Sequence, residues 1–197
     1  MPIYEFEGIR PVVARDAFVH PTSVLIGDVV VGAGCFVGPG AVMRGDIARL
    51  ELGRGSNLQD CCMVHTYPGR EVVIGEDCHI GHGAVVHGCT LGRNALIGMN
   101  AVIMDDAVIG DEAMVAAQAF VRAGAVVEAR TLVAGVPAKF LRALSEEEIR
   151  RKSNGTAIYQ HLARRFLATM REVEPLQEVE EGRPALPSLE HIHKGEW

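Results

Sequence analysis

Aliphatic residues return every six positions along most of this chain. They stand at Val31, Val37 and Met43, then at Leu52, Leu58 and Val64, and they resume at Ile74, Ile80, Val86, Leu91, Ile97, Ile103, Ile109, Val115 and Val121. Most are followed directly by glycine or another small or polar residue, as in Ile26-Gly27, Val37-Gly38, Ile80-Gly81 and Ile97-Gly98. A six-residue period predicts a parallel β-helix built from hexapeptides. Each hexad makes one short strand and a corner, and three hexads close a triangular coil. The aliphatic side chain points into the prism, and the small residue after it is expected to fit the corner. About six or seven coils fit before residue 135, and almost no helical pattern precedes residue 142. Residues 1–142 are therefore expected to form an all-β solenoid.

Beyond Gly135-Val136-Pro137 the hexads stop. Ser145 and Glu148 make a capping box that starts a helix. Asn154-Gly155 predicts a break, after which a second amphipathic segment runs from about 156 to 173, with Ile158, Leu162, Phe166, Leu167 and Met170 on one face. Residues 143–174 are expected as C-terminal helices packed on the solenoid, and the proline-rich, charged residues 175–197 as an extended tail in which His191 and His193 are solvated.

Charge and composition narrow the functions. The net charge of −6 comes without a basic block, which argues against nucleic-acid binding. No apolar run is long enough for a membrane span, and Met1-Pro2-Ile3-Tyr4-Glu5 lacks a signal-peptide pattern, so a cytoplasmic protein without membrane contact is expected. The five cysteines form no C-x-x-C pair. They read as small buried fillers in a reducing compartment, with Cys61 or Cys62 as a candidate nucleophile to be weighed against that.

Three histidines carry the candidate chemistry. His65 follows Val64 and His87 follows Val86, so they occupy the same hexad position. The step from 64 to 86 is 22 residues, one 18-residue coil plus four, and Tyr67-Pro68-Gly69-Arg70 accounts for the excess as an outward turn. His65 and His87 should stack on adjacent coils about 4.8 Å apart, a spacing at which two imidazoles can share an ion. Arg44 lies on the same ladder one coil earlier. His82 and Asp60 stack on a different face, whereas His20 and His79 read as polar corner residues. One chain thus offers two ligands at one place and a third elsewhere, and a homotrimer resolves this by joining His65 and His87 of one chain to His82 of the next.

Arg44-Gly45-Asp46, Asn57-x-Gln59-Asp60, His65, Ile80-Gly81-His82 and Val86-His87-Gly88-Cys89 resemble the γ-class carbonic anhydrase pattern of hexapeptide-repeat proteins, over about residues 10–140. The resemblance implies a left-handed parallel β-helix, trimeric. It implies one zinc (alternatively iron or cobalt) per chain at subunit interfaces, held by His65, His82 and His87, with Arg44 and Asp46 supporting the interface. Gln59 would hold a water on the metal, Asp60 would orient that water or His82, and Arg44 would pair with Asp46 or Asp60. Asn57 falls in the same motif as a substrate contact. End to end, including Met1-Pro2-Ile3-Tyr4, Gly98-Met99-Asn100 and Tyr159, the chain is similar to the branch of this family holding phenylacetate-degradation thioesterases and carnitine-operon proteins.

Two departures shift the expected substrate. Ile47 stands where the anhydrase pattern has a glutamate, and the acidic loop after the first histidine is replaced by Thr66-Tyr67-Pro68-Gly69-Arg70. Ile47 offers an apolar wall to a larger organic substrate. The resemblance therefore implies an acyl-CoA thioesterase, with hydroxide generated at the metal attacking the thioester carbonyl and Tyr159 as a candidate proton donor or gate. Tyr159 equally fits a packing position on its helix. The alternatives are reversible hydration of carbon dioxide to bicarbonate, an accessory protein of carnitine metabolism without its own chemistry, and a hexapeptide acyltransferase. Acyltransferases of that kind usually rely on one histidine near the coil edge and need no metal triad.

Overall fold

In the computed structural model, which describes residues 2–195, the chain winds as a parallel β-solenoid of about seven turns around an aliphatic core. Three columns of strands make the walls. The first stacks Phe18–Val19, Phe36–Val37, Asn57–Leu58, His79–Ile80, Leu96–Ile97, Met114–Val115 and Thr131–Ala134. The other two are joined because Val24–Val31 and Val42–Leu52 run round a corner and serve both. The second column carries Val42, Met63, Val85, Val102 and Phe120 in register, and the third carries Glu51, Val73, Thr90, Val108 and Val126. Alternation along each strand turns Leu58, Val64, Ile74, Ile80, Val86, Ile97 and Ile103 wholly inward.

Two hexad positions behave in ways periodicity alone did not assign. The residue two before the aliphatic is also inward and in most hexads small: Ala95, Ala101, Ala107, Ala113 and Ala119 occupy it, as do Cys35, Cys62, Cys78 and Cys89. Burial pushes the thiols of Cys35, Cys62 and Cys89 up to about 12 and that of Cys78 to about 11, so these four are fillers. Cys61 is exposed. The residue directly after the aliphatic, expected at the turn, instead marks where coils touch. A Cβ on Gly98 would lie 2.3 Å from the Ala117 nitrogen of the next coil. The left-handed turn conformation falls three residues after the aliphatic, at Asn94, Asn100, Asp106, Glu112 and Gln118.

The expected break at Asn154-Gly155 does not occur. One helix, α1 (Glu146–Thr169), runs through it and begins at the expected Ser145/Glu148 capping box. Tertiary contacts outweigh the glycine's cost of about 1 kcal/mol. Lys152 donates to Asp77 O at 2.5 Å and to Asn94 Oδ1 at 2.7 Å, and Gln160 donates to Gly55 O at 3.0 Å. Ala163 and Phe166 pack on Phe18 and Phe36. The tail is not wholly extended either. A short helix, α2 (Glu190–His193), returns to α1, with Ile192 buried and the His193 carbonyl accepting from Asn154 at 3.0 Å. His191 and His193 themselves are exposed, as expected; Met1, Glu196 and Trp197 lie outside the described residues. Lys139–Ala143 pairs antiparallel with Thr131–Ala134 and ends the stack. Among the described residues no helix is long and apolar enough to cross a membrane.

The outward residues of the columns differ in what covers them. On the first, α1 lies over the neighbourhood of Phe18, Phe36, Asn57 and His79. On the second, Val24, Val42, Met63, Val85, Val102 and Phe120 form an unbroken apolar stripe that α1 leaves uncovered.

Candidate functional site

His65 and His87 are ladder partners on adjacent strands of the second column, in the predicted register. Their rings face each other, with His65 Nδ1 and His87 Nε2 3.3 Å apart. The opposite nitrogen of each ring meets a carboxylate: His65 Nε2 lies 3.0 Å from Asp46 Oδ1, and His87 Nδ1 bonds Asp105 Oδ1. Where each ring carries its proton on the nitrogen that meets the carboxylate, the two facing nitrogens are both acceptors and repel one another. A cation or a proton between them removes that repulsion. This is the carboxylate–histidine arrangement by which proteins orient metal-ligating rings, so the pair could supply two of a divalent ion's ligands.

Arg44 fixes the first carboxylate, donating to Asp46 Oδ2 at 2.6 Å; of its two expected partners, Asp46 is the one engaged. Partial burial works to raise the Asp46 carboxyl, but the hydrogen bonds from Arg44 and His65 hold it below the ordinary carboxylate range. His82 stands apart. It occupies the corner between Ile80 of the first column and Val85 of the second, whereas His65 and His87 stand at the second column's other edge. Its Nδ1 lies 2.6 Å from Asp60 Oδ2, which realises the expected Asp60–His82 stack and leaves Nε2 free on a ring that is 46% exposed. Among the described residues, no group of three or more His, Cys, Asp or Glu side chains of one chain is arranged to hold a metal.

The remaining predicted residues divide between surface and interior. Ile47 is 43% exposed, in the stretch where strand register shifts beside Asp46. Asn57 and Gln59 are buried behind the corner that holds Asp60. Gln59 Nε2 donates to Asn57 Oδ1 at 2.9 Å and meets His79 Nε2 at 2.7 Å, while the Asn57 amide lies 3.3 Å from His79 Nδ1. Tyr159 closes this polar cluster from α1, with its ring edge-on to His79 and against Phe36. Burial, with Asp60 nearby, raises its phenol. The structure thus places Tyr159 in a packing position and brings Asn57 and Gln59 to His79, not to the His65–His87 pair.

His79, expected as a polar corner residue, instead sits within this cluster on a first-column strand. Burial beneath α1, with Lys152 and His82 adding positive charge, lowers it to about 4. Hexad counting also misses Asp105: Val86 pairs with Ile103, a step of 17 residues, so Met104 follows on the ladder of His87 and Asp105 lies one position beyond it. The short turn that follows His65 reaches the same region: Tyr67 donates to Asp106 Oδ2 at 2.7 Å, and Arg70 Nε lies 3.3 Å from Asp106 Oδ1.

The relatives agree with the repeat. The bacterial transferase hexapeptide pattern of six repeats matches residues 10–45 and 88–123. Carnitine operon protein CaiE of Salmonella newport is 54% identical over 186 residues, covering 94% of each chain. The chain belongs to the hexapeptide-repeat family. A hexapeptide transferase family protein from Anaplasma phagocytophilum superposes with a TM-score of 0.81 at 39% identity, covering 84% of this chain and 98% of that one. The perosamine N-acetyltransferase of Caulobacter crescentus, solved with CoA and GDP-perosamine, superposes with a TM-score of 0.55 at 25% identity, covering 62% and 55%. The chain is thus similar both to a carnitine operon protein and, in fold, to an N-acetyltransferase solved with CoA.

Proposed function

We propose that this chain is a CaiE-like protein of carnitine metabolism; the similarity to CaiE over 94% of both chains carries that reading. Its own contribution, in the finer form of the proposal, is hydrolysis of an acyl-CoA thioester at a metal centre shared between the subunits of a homotrimer. The facing lone pairs of His65 and His87 support the metal. The uncovered apolar stripe from Val24 to Phe120 supports the assembly, since it lies between the His82 edge and the His65–His87 edge of the second column. A neighbour seated on it brings His82 of one copy toward His65 and His87 of another.

Bound there, a divalent ion would supply Lewis acidity and an acidified water. The chain's own residues do the rest. Asp46 and Asp60 each engage one ring nitrogen, of His65 and His82 respectively, Arg44 holds Asp46 in place, and Ile47 offers apolar surface to the acyl group. Acyl transfer is the second reading, favoured by the CoA bound in the perosamine N-acetyltransferase.

Purified chain should carry roughly one divalent metal per subunit, and His82→Ala should lose it with the solenoid's circular dichroism intact. Retention of metal in that variant sinks the bridging site. A panel of CoA esters, with free thiol as the readout, should show hydrolysis abolished by chelation and by His65→Ala. Hydrolysis surviving both overturns the metal chemistry. Acyl-carnitine formation when carnitine is added would instead select transfer, and rapid carbon dioxide hydration without thioester cleavage would select the anhydrase reaction. A chain inert in every assay leaves the accessory role.

A further inference from the structure

The turn after His65 has a use that its length alone does not suggest. His65, His87 and Asp105 stand on three successive coils, and Tyr67, leaving the first of them, reaches across to Asp106 on the third. Arg70 engages the same carboxylate, and Thr66 ties the turn by donating to Arg70 O at 2.5 Å. Gly88, at φ +50°, makes room between them. A Cβ there would fall 2.5 Å from Asp105 Oδ1 and 2.9 Å from the Tyr67 ring. Asp105 and Tyr67 thus meet over Gly88, directly after His87, at a position that only glycine can serve without strain.

We infer that Asp105 is a positioning residue for His87, and that the turn Thr66–Arg70 is the clip that keeps the Asp105–Asp106 segment against it. A carboxylate accepting from Nδ1 forces the ring proton onto that nitrogen and turns the Nε2 lone pair toward His65. Without Asp105 the ring is free to carry its proton on Nε2, which places a hydrogen in the gap between the two histidines. The purpose of this alignment rests on the metal reading above; the tautomer is a property of the chain alone. The loop that replaces an acidic one is therefore part of the site's construction.

The test uses the full-length chain, metal-free, with histidine 15N spectra for the tautomer and cobalt(II) titration followed by visible absorption. Asp105→Ala, at a side chain 31% exposed, should keep the fold. It is expected to move His87 from a single Nδ1-protonated form to a mixture and to weaken cobalt binding by about 10–100-fold. Asp105→Asn, which keeps an oxygen acceptor, should fall between it and the parent. Tyr67→Phe should shift both readouts in the same direction by less. An unchanged His87 tautomer with cobalt affinity within about twofold of the parent in Asp105→Ala overturns the inference. If the parent chain takes up no cobalt, the metal reading fails by itself. The tautomer shift then still decides Asp105: its presence supports the role and its absence refutes it.

Discussion

His79 has the clearest solution signature of any single residue. Half-buried under α1 among Asn57, Gln59 and Tyr159, it is held neutral, with its pKa lowered by burial to about 4 from an ordinary 6.5. In the unfolded chain the same ring takes up a proton as pH falls through 6.5, while the folded chain declines it until about pH 4. Between those values the unfolded state binds more protons, so stability falls on acidification and is unaffected above 6.5. The loss attributable to this ring reaches up to about 3 kcal/mol. Urea unfolding of the parent and His79→Asn across this range should show the slope in the parent and a flatter profile in the variant; equal slopes would remove the assignment. The sequence displays His79 as one more polar hexad residue, because nothing local reveals that a helix from residues 146–169 will cover it. His65, His82 and His87 were legible because hexad counting places side chains nearly as coordinates do.

At the level of elements, two glycines separate what the coil demands from what the helix tolerates. Gly98 lies directly against the next coil, where an added methyl would strike the Ala117 backbone nitrogen at 2.3 Å. Gly98→Ala should destabilise the chain by about 1–3 kcal/mol by forcing two coils apart. Gly155 has no heavy atom within 4 Å of a would-be Cβ outside its own helix, so Gly155→Ala should stabilise by about 0.5–1 kcal/mol. Thermal denaturation of both variants checks the pair, and a stabilised Gly98→Ala would contradict the packing described for the coils. The solenoid strands were readable because each repeats one local solution. The unbroken α1 was not, because its continuity depends on Asp77, Asn94 and Gly55, all on distant coils.

At the scale of the whole molecule, the second column is the surface on which assembly depends. Val85 lies near the middle of its apolar stripe, on the strand that carries His87. Val85→Arg should convert the proposed trimer to monomers in light scattering and strip the metal with it, while circular dichroism keeps the solenoid. A trimer that survives with its metal would move the interface elsewhere. The distribution of chemistry follows the same logic: two histidines stand on one edge of this column and one on the other. Periodicity by itself determined the solenoid, the stacking of His65 on His87, and the separation of His82 from both, because a fixed hexad repeat leaves each of its positions a single direction. Only the tertiary structure decided which carboxylate holds which ring, that Asn57 and Gln59 turn to His79, that Tyr159 packs over it, and that the tail returns to α1. Those contacts join coils and elements far apart in the chain, and no local pattern records a partner that folding alone brings near.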